Sequence, residues 1–143
     1  MDTRPLIDNI SVAPQISVED VSELAASGVQ NIINNRPDHE EPGQPLSAEI
    51  EAAAMEAGLQ YHFLPVVGNA LTLDDVARLQ ELLEDAEGPT LLFCRSGTRS
   101  ATLWALSQAG RMDGELILKT AGEAGYDLSA LRPAFGLPSN PAT

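Results

Sequence analysis

Short apolar runs alternate along the chain with longer segments whose apolar residues recur every three or four positions. Ile10-Val12, Val29-Asn34, Tyr61-Val67 and Pro89-Phe93 predict strands, the last of a length that suits a buried one. Between them lie helices with recognisable ends. Ser17 with Asp20 forms a capping box, and Gly28 closes the helix that it opens. Ser47 caps a second helix, in which Ile50, Ala54 and Ala57 keep helical spacing up to Gly58. Thr72 with Asp75 caps a third, where Val76, Leu79 and Leu83 make one apolar face. Ser100 to Ala109, rich in Ala and Leu with no breaker, predicts a fourth helix that Gly110 ends, with Trp104 in the core. Leu116, Ile117, Ala121 and Ala124 mark another, before Gly125-Tyr126-Asp127 turns the chain into a last short helix.

This alternation predicts an α/β fold of three layers, a mainly parallel sheet flanked by helices on both faces, with ligands bound beyond the carboxyl ends of the strands. Residues 1–143 read as a single domain whose core spans about residues 10–133, followed by a Pro-rich C-terminal tail that frays. One connection breaks the economy of the rest. Asn35 to Pro45 holds three prolines, Gly43 and four charged residues, and a loop of that length in a compact domain invites a functional reading.

Charge narrows the partners. Eight basic residues against 21 acidic ones give a formal net charge of -13, which leaves no footprint for a phosphate backbone and predicts no nucleic-acid partner. No run approaches the length of a membrane span, and the start has no apolar segment behind a basic one, so the expectation is a soluble cytoplasmic protein without a membrane partner. A lone cysteine excludes an internal disulfide framework. With that one Cys, His39 and His62 offer no metal-ligand spacing, so neither a metal nor another cofactor is expected. His62 alternates with Tyr61 and Phe63 and belongs on the more polar face of its strand.

The cysteine sits where the pattern is most pointed. Pro89-Phe93 ends abruptly in Cys94-Arg95-Ser96-Gly97-Thr98-Arg99, a loop between a strand end and a helix start. Backbone N–H groups at a helix start lack intrahelical partners, and the helix dipole adds positive charge, so anions bind there. Arg95 and Arg99 strengthen that field and favour Cys94 as a thiolate nucleophile. Ser96, Gly97 and Thr98 complete a cradle with Arg95, in which Gly97 lets the backbone turn in on the ligand. Arginine, loop N–H groups and a thiolate serve two reactions: attack on phosphorus, giving a phosphocysteine, and attack on a sulfane sulfur, giving a persulfide.

The sequence resembles the cysteine-dependent phosphatases, and more closely the bacterial phosphatase-like domains of β-lactamase hydrolase-like proteins, found alone or fused to a persulfide dioxygenase-like module. Gln15-Ile16-Ser17, Ile32-Ile33-Asn34-Asn35-Arg36-Pro37-Asp38, Glu41-Pro42-Gly43-Gln44, Leu64-Pro65-Val66, the Cys94-Ser100 loop and Ala124-Gly125-Tyr126-Asp127 carry the match, from about Ser11 to Pro133. The resemblance implies a dual-specificity-phosphatase-like fold and hydrolysis of phosphomonoesters, phosphotyrosine-like or small aryl phosphates. Within it Cys94 is the nucleophile, Arg99 grips the anion, and the Ser100 hydroxyl bonds the thiolate. It also implies a functional link to a persulfide dioxygenase-type protein.

Two departures keep other readings open. Cys94 and Arg99 are separated by four residues, one fewer than in the phosphatase loop and as in rhodaneses, which points to a sulfurtransferase as the alternative. Dual-specificity phosphatases also place an acidic Asp after the strand that here ends in Pro65-Val66-Val67, whereas this chain has Gly68 and Asn69. Asp74 and Asp75 are the nearest substitutes as general acid, although a first-turn carboxylate is more simply a capping group. Asp38, Glu40 and Glu41 belong either over the site or in a solvated loop, and Arg36, after the second strand's end, either faces the same crevice or, more simply, forms a surface ion pair. A third reading is an anion-binding module without turnover, for a small anionic or phosphorylated ligand.

Overall fold

A computed structural model describes residues 1–68 and 70–139 of the chain. Asn69 and residues 140–143 of the Pro-rich tail, on which two of the expectations above bear, lie outside the described residues. The strands are β1 (Arg4–Pro5), β2 (Ile10–Ala13), β3 (Asn31–Asn34), β4 (Gln60–Phe63) and β5 (Thr90–Phe93). The helices are α1 (Val18–Ala26), α2 (Ser47–Glu56), α3 (Leu73–Asp85), α4 (Thr98–Ser107) and α5 (Gly114–Glu123), followed by a 3-10 helix at Ser129–Phe135.

The apolar runs become strands because both faces of the sheet are covered. Leu91 and Phe93 join Ile32 and Ala13 in a cluster with Val21 and Leu24 of α1 and Ile50 and Ala54 of α2. Their neighbours Leu92, Ile33 and Val12 join the opposite cluster, with Leu79 of α3, Leu103 and Trp104 of α4 and Ile117 of α5. Successive strand residues point to opposite faces, so a strand covered on both sides must be apolar throughout. Each fully buried Leu or Ile contributes about 1.5–3 kcal/mol of burial free energy. The result is the predicted three-layer fold, with helices on both faces. Among the described residues no helix is long and apolar enough to cross a membrane.

Strand order is β1-β2-β5-β3-β4, parallel except for β1, which pairs antiparallel with β2. The register sets Ala13, Phe93, Asn34 and Phe63 in one row across the carboxyl edge. Cys94 and Asn35 therefore emerge side by side. From β2 the chain departs through α1 on one face, and from β5 through α4 on the other. A crevice opens beyond the strand ends where neighbouring connections diverge in this way.

Several ends differ from expectation for local reasons. Gly97, left-handed at φ +94°, starts α4 at Thr98, two residues before the predicted Ser100. Leu46, not Ser47, is the N-cap of α2, and the Glu49 carboxylate accepts from its N–H at 3.0 Å. β4 stops at Phe63, since Pro65 has no N–H to donate. The last short helix takes 3-10 geometry around Pro133. β1 was not anticipated, because two residues carry no periodicity.

Asn35 holds the carboxyl edge together. Its N–H donates to Phe93 O at 2.8 Å, its carbonyl accepts from Val66 N at 2.9 Å, and its Nδ2 donates to Leu64 O at 2.9 Å. The fourth bond comes from Ser100 Oγ to Asn35 Oδ1, at 2.8 Å. Asn35 is wholly buried, so each of these groups depends on its partner. An Asn35→Ala substitution orphans Leu64 O and the buried Ser100 hydroxyl, at about 1–3 kcal/mol each. Urea unfolding of that variant should show a loss of about 2 kcal/mol or more, with little change in m-value.

Candidate active site

Cys94 leaves the end of β5 into a loop that becomes α4 within four residues. The turn is made at Gly97, whose N–H donates to Cys94 Sγ at 3.1 Å. No other residue fits there, because a Cβ would collide with the Tyr126 hydroxyl. Gln15 N donates to Arg95 O at 3.2 Å and fixes the loop against the chain leaving β2. At the helix start Ser96 Oγ donates to Thr98 Oγ1 at 3.1 Å and accepts from Thr98 N at 3.4 Å. The Arg95, Ser96 and Thr98 side chains face solvent, whereas Cys94 and Gly97 are buried. Cys94 exposes no surface in this conformation.

Arg99 returns toward the sulfur from the first turn of α4. Its Nη1 donates to Glu40 Oε2 at 2.7 Å and to Val66 O at 2.8 Å, and its Nη2 to Glu40 Oε1 at 2.7 Å. This pairing with Glu40 raises the Arg99 pKa against the cost of burial, and a hydrogen bond to Cys94 raises it further. Glu40 is shared: Arg36 Nε also donates to its Oε1, at 2.9 Å. The Arg99 bonds, opposed by burial and aided by Arg36, lower the Glu40 carboxyl from 4.5 to about 2.

Arg36 corrects the sequence expectation. It is not in a surface ion pair but 1% exposed, bonded to Glu40, to Gln15 Oε1 at 3.0 Å and to Glu41 Oε1 at 2.9 Å. A guanidinium that deep survives only if its donors are met, which Gln15 and the acidic loop accomplish. That loop is an ordered strap. Gln44 Nε2 donates to Pro37 O at 2.8 Å, Gln44 Oε1 accepts from Glu40 N at 3.0 Å, and Asp38 Oδ1 accepts from Ser47 N at 2.7 Å. Glu41 lies 3.7 Å from the exposed Arg95.

Other expected residues take different positions. Ser100 is buried in α4, but its proton is committed to Asn35 Oδ1, whose amide nitrogen donates to Leu64 O. One hydroxyl proton cannot serve Asn35 and the sulfur together. Asp75 Oδ2 accepts from Thr72 N at 3.0 Å, and Thr72 Oγ1 accepts from Asp75 N at 3.1 Å, a complete capping box. Asp74 beside it is exposed. A cavity of about 580 Å³ lies at the other end of the sheet, lined by Gln30, Asn31, Gln60 and His62, away from the thiol. Among the described residues no three His, Cys, Asp or Glu side chains gather to hold a metal ion. Asn35 and Glu40 carry only a weak signal in the sequence. Their signal lay in Asn34-Asn35-Arg36, polar residues directly after an apolar strand, and in the length of the loop they open.

A thiol at the end of a central parallel strand, cradled by the next helix's N-terminus and flanked by a fixed arginine, defines a dual-specificity-phosphatase-type fold. Residues 2–111 match the family described as beta-lactamase hydrolase-like protein, phosphatase-like domain, and the chain belongs to that family. A beta-lactamase hydrolase-like protein of Agrobacterium fabrum is 39% identical over 125 residues, which are 86% of this chain and 29% of that one. The chain thus spans under a third of that relative's length. Among solved structures, a candidate phosphatase of Neisseria meningitidis, nma1982, superposes with TM-score 0.84 at 34% identity, covering 94% of this chain and 96% of its own. A kinase-associated phosphatase with its catalytic-site cysteine replaced by serine shares the fold alone, at TM-score 0.66 and 15% identity, over 89% of this chain and 87% of that one.

Acid should probe the Glu40 cluster. Its folded pKa lies below the unfolded one, so the stability it contributes is complete above about pH 4.5 and lost as pH falls towards about 2. Glu40→Gln should therefore flatten the fall in unfolding free energy between those limits, measured by urea denaturation across that pH range.

Proposed function

We propose that this phosphatase-like domain hydrolyses phosphomonoesters of the phosphotyrosine or small aryl type through a phosphocysteine intermediate. The observation that carries the reading is the Gly97 N–H on Cys94 Sγ, at the base of an α4 N-terminus that Arg99 flanks. A hydrogen-bond donor aimed at sulfur and a positive helix end favour the thiolate. The thiolate attacks phosphorus, an S–P bond forms, and the ester P–O bond breaks as the phenolate departs. Arg99 and the loop N–H groups carry the charge that grows on the phosphoryl oxygens. Water then attacks phosphorus, releasing phosphate and the thiolate. A cytoplasmic location suits this chemistry, because a reducing compartment keeps the single thiol free.

Leaving-group protonation is the weak step. Glu40, with its carboxyl at about 2, holds no proton to give at neutral pH. Asp75 is engaged as a capping group, and a missing general acid forgoes about 10²- to 10⁴-fold. Aryl phosphates with stable phenolates should therefore turn over, while alkyl phosphates scarcely react. A steep dependence of kcat/KM on leaving-group pKa is the expected result, and a flat one would assign an acid that these contacts do not supply. If Asp74→Asn or Asp75→Asn selectively lost poor leaving groups, that residue would be the acid.

A second reading is favoured by the four-residue spacing from Cys94 to Arg99. In a rhodanese-like sulfurtransferase the thiolate attacks the outer sulfur of thiosulfate, the S–S bond breaks, and sulfite leaves with its electron pair. No proton donor is needed for that step. The persulfide on Cys94 then passes its sulfur to an acceptor thiolate, the chemistry through which a persulfide dioxygenase-type partner would connect.

Cys94→Ser should abolish turnover while the variant stays folded, because the change is nearly isosteric. Arg99→Lys, which keeps charge but loses the planar fork, should lose at least ~10²-fold. The mass of the protein after brief exposure to each substrate separates the chemistries: a phosphoryl adduct with an aryl phosphate supports the first, and one added sulfur from thiosulfate without ester hydrolysis supports the second. A Cys94 that takes up neither and resists alkylation would leave the domain an anion-binding module.

A further inference from the structure

We propose that Glu40 is a positioning residue that aims Arg99 at the thiol, with Arg36 as the anchor that holds Glu40 in place. The inference rests on the reading of Arg99 as the group that grips the anion. A guanidinium has five N–H donors. Two on Nη1 go to Glu40 and Val66 O, and one on Nη2 goes to Glu40. What remains is Nε–H and the second Nη2 hydrogen, together one side-on fork of the kind that takes two oxygens of an oxyanion. Glu40 thus occupies the terminal edge of the guanidinium and leaves the lateral edge to Cys94, which Arg99 also hydrogen-bonds, and to an anion bound against the sulfur, so an anion meets that edge without displacing Glu40.

The alternative role for a carboxylate on this arginine is an internal plug that imitates the substrate. Three features speak for the clamp. Glu40 is independently held by Arg36, which is buried and itself bonded to Gln15 and Glu41, so its seat does not depend on Arg99 alone. Gln44 fixes the backbone that leads into it, through Pro37 O and Glu40 N. The Val66 carbonyl bonds the same Nη1 from another segment, which would be superfluous for a plug and is expected of a bracket. A long side chain pinned at one edge by two acceptors also loses less conformational freedom when substrate arrives.

Alkylation of Cys94 tests this without presupposing either reaction. Iodoacetate carries a carboxylate that needs the Arg99 fork, whereas iodoacetamide does not. The ratio of their rates with wild-type protein reads the fork, and Arg99→Lys sets the value without it. Glu40→Gln should lower the ratio by about tenfold or more, short of the loss from deleting a donor outright, while the iodoacetamide rate changes by less than about threefold. Glu40→Asp, which keeps the charge but reaches less far, should fall between. With an aryl phosphate the same variants should lose kcat more than they raise KM. If Glu40→Gln raises the ratio, Glu40 is a plug; if the ratio holds in Glu40→Gln and Glu40→Asp but falls in Arg99→Lys, Glu40 does not position Arg99. A ratio unmoved by Arg99→Lys as well would overturn the reading of Arg99 itself.

Discussion

Everything at the carboxyl edge of this sheet hangs on the four hydrogen bonds of one buried amide, Asn35. Its backbone continues the β3–β5 ladder one step past the strands, so the residue after β5, Cys94, emerges at a fixed place. The side chain clamps α4 through Ser100 and the Leu64–Val66 segment through Leu64 O. That segment then supplies the Val66 carbonyl that holds Arg99. A buried polar group has to be satisfied completely or it destabilises the fold, and complete satisfaction is what makes it rigid. Cys94, the N-terminus of α4 and Arg99 are thereby tied to one point.

Positive charge is scarce in a chain of net charge -13, and three of its eight basic residues, Arg36, Arg95 and Arg99, stand at this edge. Glu40 pairs with two of them and Glu41 with Arg36 and, at longer range, Arg95. The acidic strap neutralises much of the charge that the loop would otherwise show to solvent. The surrounding acidic surface repels polyanions at long range.

The chemistry follows from what the carboxylates are already doing. Glu40 is held deprotonated by two arginines and Asp75 is spent on the α3 cap, so neither stands ready to protonate an alkoxide. The Ser100 proton is likewise spent on Asn35. For the reactions proposed here this leaves the Cys94 thiol, the loop N–H groups and Arg99 with little acid–base machinery, which would suit leaving groups that are stable anions. Aryl phosphates and thiosulfate share that property, and for this reason the phosphatase and sulfurtransferase readings stand close together on one site.

Local pattern determined the order and type of the elements other than β1 and the closing 3-10 helix, the capping boxes at Ser17 and Thr72, and the Cys94 loop at a strand end, because each is set by neighbours within a few residues. The fold class was legible for the same reason: runs apolar throughout need cover on both faces, and the covering helices lie between them. Tertiary structure alone decided the rest. Asn35 and Ser100 are 65 residues apart and Glu40 and Arg99 are 59, so no window of sequence contains either pair. Arg36 reads as a surface group because its acceptor on Gln15 reaches it only when β2 and β3 flank β5. Sequence spacing supplies the groups, whereas their desolvation and shared hydrogen bonds arise only where the chain returns to itself.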